Sequence, residues 1–170
     1  DGPLFAGESV AVVGGGDSAL GAADDMAKIA EHVYLVSTTP LTGTQVLIDR
    51  VTEAQHLTTL LEHEVVEIKG ENSVEKMSVR DLNTRQEKEL GVGAVFIEIG
   101  LIPNSDPFRK AVGLNDKGEI EVSCANETMV AGLFAAGDVT NVPAKQIVVA
   151  TGEGAKASLQ AHRYLQTLSR

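Results

Sequence analysis

One segment constrains the fold more than any other: the continuous apolar run Ser9-Val10-Ala11-Val12-Val13 leads directly into Gly14-Gly15-Gly16-Asp17-Ser18-Ala19. An apolar run without alternation is the pattern of a strand covered on both faces of a parallel sheet. The six residues after it match G-x-G-x-x-A. In that motif the first glycine makes the tight turn off the strand and the second lets backbone approach a pyrophosphate. The small third residue lets the helix pack on the strand. Ala19, Leu20, Ala22, Ala23, Met26, Ala27 and Ile29 then recur at spacings of three and four, which predicts a helix, and Val33-Tyr34-Leu35-Val36 predicts a second strand. Together they form a βαβ unit with an expected right-handed crossover. A glycine motif alone is weak evidence, but its place between a buried strand and an amphipathic helix points to a dinucleotide site, with Gly14, Gly16, Asp17, Ser18 and Ala19 as its residues. The competing reading is a glycine turn that only joins strand to helix.

The end of the second strand is where such a unit reads the adenosine ribose. An acidic residue there suits NAD, and basic residues suit the 2′-phosphate of NADP. This chain has Val36-Ser37-Thr38-Thr39-Pro40, which supplies neither charge. Ser37 and Thr38 are therefore expected to offer hydroxyls only, which argues against a strong NADPH preference more firmly than it argues for NADH. Asp17 is a second departure. A carboxylate caps a helix start well but lies beside the expected phosphates, and like charges about 4 Å apart repel by roughly 1 kcal/mol in water.

Further along, Thr44 to Ala54 predicts a second helix with Thr42 or Thr44 as cap. Leu57 to Leu61, Val65 to Lys69, Val74 to Arg80 and Glu87 to Leu90 predict an antiparallel meander, and Gly93 to Ile99 another buried strand. After Ile102-Pro103-Asn104-Ser105 the texture changes. A hairpin is expected from Gly113 to Val122, turning at Asp116-Lys117-Gly118, then a buried strand ending in Leu133-Phe134-Ala135-Ala136-Gly137-Asp138. A final helix is expected from Ile147 to Leu168. Gly152 and Gly154 inside that helix cost roughly 1 kcal/mol each relative to Ala, so they are expected to be packed closely against a ligand or another helix.

Charge narrows the classes. Fourteen Lys and Arg against 24 Asp and Glu give a net charge of −10, with no basic run, so nucleic acid and anionic membranes are not expected partners. No apolar stretch approaches the roughly 20 residues of a membrane helix, and a soluble, cytoplasmic protein is expected. His32, His56, His63 and His162 show no metal-ligand spacing, so no metal is expected and the histidines read as surface residues. Cys124 is the single cysteine and is expected to be a small buried side chain in the hairpin. A chain opening on Asp1-Gly2-Pro3 without methionine is expected to have been trimmed, processed or cut from something longer.

At the far end, Gly137 and Asp138 close an apolar segment, and Lys145-Gln146-Ile147 leads into the last helix. An aspartate on a sugar-like hydroxyl and a helix start near a developing anion suit flavin chemistry. An ordinary strand, turn and helix is the alternative reading.

With these segments in view, the chain resembles the low-molecular-weight thioredoxin reductase family and its close relative, the flavoprotein reductase of alkyl hydroperoxide reductase. The resemblance rests on Asp1-Gly2-Pro3-Leu4-Phe5, Val12 to Ala19, Ile99-Gly100-Leu101-Ile102-Pro103-Asn104, and Leu133 to Leu165 with Ala135-Ala136-Gly137-Asp138, Lys145-Gln146-Ile147 and Gly152-Glu153-Gly154, all in family order. It implies an α/β fold with a Rossmann-like pyridine-nucleotide-binding domain and antiparallel meander at residues 1–99. The C-terminal segment of an FAD-binding α/β domain would occupy residues 100–170. The family's N-terminal flavin segment, its second glycine motif and the redox C-x-x-C that precedes a stretch like Asp1-Gly2-Pro3 are expected elsewhere in the same protein. By itself, therefore, the chain is expected to bind FAD poorly and to reduce no disulfide.

The resemblance further implies FAD with NADPH or NADH as cofactors, hydride transfer from nicotinamide to flavin, and delivery to a protein disulfide. A thioredoxin-like protein or a peroxiredoxin would be the partner, and the full-length form a homodimer. Gly100 would neighbour the nicotinamide, Asp138 would hold the ribityl chain, and Gln146 and Ile147 would meet the flavin's pyrimidine edge. Lys145 would either approach the flavin or only cover the helix start. Gly21 stands where the family has Glu, and Ser37-Thr38-Thr39 where NADPH users have a basic cluster.

The leading expectation is thus part of a disulfide reductase of thioredoxin reductase type. The peroxiredoxin-reducing relative is the alternative, favoured by Ile97 to Pro103 and Thr151 to Lys156. A reductase fed by a protein electron donor, or a non-catalytic nucleotide-binding module, is the reading from a different class.

Overall fold

Val10, Ala11 and Val12 are all fully buried, and the strand they form, β1 (Ser9–Val13), sits inside a parallel sheet. After it come α1 (Asp17–Ala27), β2 (His32–Ser37), α2 (Gln45–Glu53) and β3 (Leu57–Leu61). Next are β4 (His63–Lys69), β5 (Lys76–Asp81), β6 (Glu87–Gly91), β7 (Ala94–Ile97) and finally α3 (Ile147–Leu168). The computed structural model describes residues 1–168 and divides the chain into two units, Asp1–Gly100 and Leu101 onward.

In the first unit the parallel sheet runs in the order β3-β2-β1-β7. Val13 pairs with Val36 on one side and Ile97 on the other, and Ser37 pairs with Leu61. Because side chains alternate along a strand, the two faces of β1 serve different cores. Val10 and Val12 join Leu20, Ala23, Met26, Val33, Leu35 and Val51 beneath the two helices. Ala11 faces the opposite way and joins Val36, Leu60, Met77, Val79 and Leu90 beneath the antiparallel sheet β4-β5-β6. The layers are therefore helices, parallel sheet and meander, and the middle layer needs apolar residues at successive positions. That double coverage is the physical reason for the unbroken run at Ser9 to Val13.

Leu57 to Leu61 departs from expectation. It is the outer strand of the parallel sheet, pairing with β2 from Val33–Leu57 to Ser37–Leu61, and is not part of the meander. The second helix supplies the crossover that makes this parallel pairing possible, and Glu62, with φ +54, turns the chain abruptly from β3 into β4. Strand β7 is shorter than expected, and Ile97 is 53% exposed at its end rather than buried. Thr44 stands at the start of α2 but makes no side-chain capping bond.

The second unit contains little regular structure besides α3. Its expected hairpin reduces to a bridge between Leu114 and Ile120 around a turn in which Gly118 N donates to Asn115 O at 2.9 Å. The stretch Leu133 to Asp138 is not a buried strand. Its pairing is one bridge between Phe134 and Glu127, and Leu133 remains 36% exposed, so no neighbouring strand among the described residues organises it. Cys124 is exposed, not buried, in the turn after Ser123. Gly152 and Gly154 have no neighbour among the described residues within 4 Å of where a Cβ would stand, so no helix of this chain packs closely on them. Order here comes instead from buried polar groups. Asn126, fully buried with φ +61, donates through Nδ2 to Ala135 O at 3.0 Å and to Glu153 Oε2 on α3.

Candidate functional site

The turn from β1 into α1 forms one wall of a cleft of about 440 Å³ that lies wholly within the first unit. Gly14 has φ +144, and a Cβ there would stand 2.2 Å from Glu98 O, so only glycine permits β7 to lie so close to the turn. Ala19 packs against the same point, its Cβ 2.9 Å from that position, which is why the last residue of the motif must be small. Gly15 is also confined: a Cβ would meet Ser37 Oγ at 2.6 Å. Gly16 is different. Its φ of −93 suits any residue, and a Cβ there would meet no described atom within 4 Å.

Gly16 is the N-cap of α1, and no side chain caps that first turn. The backbone N–H groups at the start of the helix, together with the helix dipole, make this a position suited to an anion. Asp17 lies beside it, exposed, with Oδ1 accepting a hydrogen bond from Thr44 N at 2.6 Å. That bond ties α1 to the start of α2, so the carboxylate has a structural partner as well as a place in the cleft. Ser18 is exposed on the same rim.

Ser37 and Thr38 follow β2 on the adjacent wall. Ser37 is only 4% exposed, and its Oγ accepts from Thr39 N at 3.3 Å, closing the loop after the strand; Thr38 and Thr39 are exposed. Glu98, Ile99 and Gly100 complete the opposite side, where Gly100 has φ +109. The structure thus brings Gly14, Gly16, Asp17, Ser18, Ser37, Thr38 and Gly100 around one cleft, with buried Ala19 packed against Gly14 beneath it.

His63, Val65 and Glu98 also line the cleft, and none of them is among the expected nucleotide residues. By sequence His63 reads as a surface histidine. The signal for its place here is the parallel pairing of β3, since a strand hydrogen-bonded to β2 must bring its carboxyl end, and the chain just after it, beside Ser37. His63 Nδ1 lies 2.6 Å from Leu61 O, and Nε2 lies 4.0 Å from Asp81 Oδ2. The N–H groups of Thr84 and Asn83 hold the Asp81 carboxyl below the usual carboxylate range.

The other expected cofactor residues lie in the second unit. Gly137 has φ +79 at the turn, and Asp138 is exposed directly after it. Thr140 Oγ1 donates to Gly137 O at 2.7 Å and holds that turn. Gln146 and Ile147 are exposed at the start of α3, Ile147 at 89%. Lys145 is engaged within the chain: its Nζ lies 3.0 Å from Glu119 Oε1 and donates to Thr140 O.

The chain matches the pyridine nucleotide-disulphide oxidoreductase family across residues 2–154. It belongs to that family. Among its relatives, the F component of alkyl hydroperoxide reductase from Escherichia coli strain K12 is 45% identical over 167 residues, which is 97% of this chain and 32% of that protein. The protein of the same name from Staphylococcus aureus strain MSSA476 is 41% identical over 97% of this chain and 33% of its own length. Among solved structures, the thioredoxin reductase of T. acidophilum superposes with a TM-score of 0.78 at 32% identity, over 99% of this chain and 55% of that one. Lactococcus lactis thioredoxin reductase gives 0.80 at 25% identity, over 98% and 56%. The chain therefore spans about a third of the length of these curated relatives and about half of the solved reductases. No helix among the described residues is long and apolar enough to cross a membrane.

Proposed function

We propose that this chain is the pyridine-nucleotide-binding portion, with part of the flavin-binding portion, of a flavin-dependent disulfide reductase. The observation that carries the reading is the β1–α1 turn. Gly14 and Gly15 are closed in by protein, whereas Gly16 opens onto free space at an uncapped helix start, the combination that a pyrophosphate requires. When bound, the nucleotide would supply a hydride to FAD, and the flavin would pass the electron pair to a protein disulfide.

The chain's own residues would bind and orient. The N–H groups at the start of α1 would hold the pyrophosphate, Ser37 and Thr38 would lie along the adenosine ribose, and Gly100 would leave room for the nicotinamide. Asp138 would accept a ribityl hydroxyl, and Gln146 and Ile147 would meet the flavin's pyrimidine edge. Lys145, through Glu119 and Thr140, would hold the loop that presents them. With Cys124 as the single cysteine, these 170 residues contain no dithiol couple, so the electron-accepting disulfide belongs elsewhere in the assembly.

The 45% identity to the alkyl hydroperoxide reductase component, against 25% and 32% to the two thioredoxin reductases, favours a peroxiredoxin-type partner over thioredoxin. A homodimeric full-length protein in a reducing, cytoplasmic compartment completes the proposal. Calorimetric titration of the chain with NADH and NADPH tests its foundation: saturable binding of either, competed by ADP-ribose, supports it. Absence of heat and of thermal stabilisation at millimolar nucleotide refutes it.

A further inference from the structure

We propose that His63 is the residue of the cleft that reads the adenosine 2′ position, by offering a titratable cation to a 2′-phosphate. The inference rests on the nucleotide reading of the cleft and assigns a role to a side chain that the glycine motif and the loop after β2 leave out.

Topology sets the direction of the cleft. The β1–α1 turn lies at its centre, and β7 with Glu98 to Gly100 lies on one side of β1. On the other side come β2, ending at Ser37, and then β3, whose last residue Leu61 pairs with Ser37. The ribose of a dinucleotide lies at the end of the second strand when its pyrophosphate sits on the first turn. His63 follows Leu61 by two residues, after the sharp turn at Glu62, and lines that same adenosine side.

The chemistry of the lining then singles it out. Among the described residues the cleft is lined, besides His63, by Gly14 to Ser18, Ser37, Thr38, Thr39, Glu98, Gly100 and apolar groups, with neither lysine nor arginine. Its carboxylates, Asp17 and Glu98, oppose an added phosphate. Among the described residues His63 is the one lining group able to become positive. Its ring is braced for the task. The Nδ1 contact to Leu61 O fixes the ring orientation, while Asp81 on β5 stands 4.0 Å from Nε2 to complement an imidazolium. The other charged groups around it are engaged elsewhere. Glu62 accepts from Asn83 Nδ2 at 2.6 Å, and Arg80 is held by Glu64 and Glu87.

The test uses two fragments that differ only in the group concerned, adenosine 2′,5′-bisphosphate and 5′-AMP, titrated into the chain at about pH 6 and pH 8. The wild-type preference for the bisphosphate is expected to rise about fivefold at the lower pH, the size of one partly exposed ion pair. The probe's own phosphate loses charge on acidification and works against this rise, so the comparison with variants removes its contribution. His63→Gln should abolish the rise while 5′-AMP affinity stays within about twofold. His63→Lys should keep the preference at both pH values. A His63→Gln profile identical to wild type, or equal weakening of both ligands, would overturn the role of His63 and leave the nucleotide site intact. Should His63→Gln fail to fold, the wild-type pH profile and His63→Lys decide the matter: no rise in the first, or no retained preference in the second, overturns the proposal. Failure of wild type to bind either fragment, or NADH, overturns this inference together with the reading beneath it.

Discussion

Replacing Gly14 and Gly16 separately by alanine should give two different defects, although both glycines belong to one motif. At Gly14 the new methyl would stand 2.2 Å from Glu98 O and 2.9 Å from Ala19 Cβ, on a backbone with φ +144. Neither obstacle is a flexible side-chain tip, so the turn or β7 must move by about 1 Å to reach ordinary contact. Overpacking of this kind costs about 1 to 3 kcal/mol, and an unfavourable backbone conformation costs a similar amount. A combined loss of about 2 to 6 kcal/mol corresponds to a fall in Tm of at least about 8 °C for a unit near 100 residues. At Gly16 the φ of −93 is open to alanine and the methyl meets no protein atom within 4 Å. Only the modest preference for glycine over alanine at a helix start is lost, about 0.5 to 1 kcal/mol. Gly16 lines the cleft, so the added methyl is expected to crowd a bound pyrophosphate, and nucleotide affinity should fall at least about tenfold. Thermal denaturation followed by circular dichroism, alongside calorimetric NADH titration, separates the two. A Gly14→Ala chain melting within about 4 °C of wild type, or a Gly16→Ala chain binding NADH normally, would refute the division of labour between the two glycines.

Asp17→Asn keeps an oxygen to accept from Thr44 N but removes a charge from the cleft. NADH should bind about fivefold more tightly, an effect that fades with added salt, as calorimetry at two ionic strengths will show. Lys69 and Lys76 together hold the Glu89 carboxyl at about 2. Because the folded value is depressed, the stabilisation is fully present above the ordinary glutamate range near 4.5 and is lost as pH falls towards 2. Glu89→Gln should therefore be less stable than wild type in urea at neutral pH, with the difference shrinking between those limits. Asn126→Gly preserves the φ of +61 but removes both Nδ2 bonds, whereas Asn126→Ala adds backbone strain. Both should destabilise the second unit, by about 1 to 3 kcal/mol for glycine and more for alanine, as measured by hydrogen exchange at Ala135 and Glu153.

The first unit is legible where local pattern and tertiary role coincide. Ser9–Val13 has to be apolar throughout because the helices cover one face and the meander covers the other. The same logic locates α1 and β2. Leu57–Leu61 reads as meander because Thr58 and Thr59 interrupt its apolar pattern, as an outer strand of a parallel sheet permits; pairing with β2 is a long-range fact that its composition does not carry. The absence of His63 from the expected site has the same origin. In the second unit, Leu133 to Asp138 has the residues of a strand, but a strand also needs neighbours, and one bridge to Glu127 does not make a sheet. Cys124 resembles a core residue by type, while its position in a turn after Ser123 leaves it outside.

The contact between Gly15 and Ser37 also limits how cofactor choice can change over generations. Ser37 is buried, and a Cβ on Gly15 would already touch its hydroxyl, so a larger residue at 37 has little free space on the side of the turn at 15. A lineage acquiring an acidic or basic group at position 37 would first pass through a distorted phosphate loop. Thr38 and Thr39 are exposed and carry no such constraint. New charges that retune the nucleotide preference should therefore arise at 38 or 39 before 37, and a library randomised at those two positions should recover altered specificity in fewer steps than one centred on Ser37.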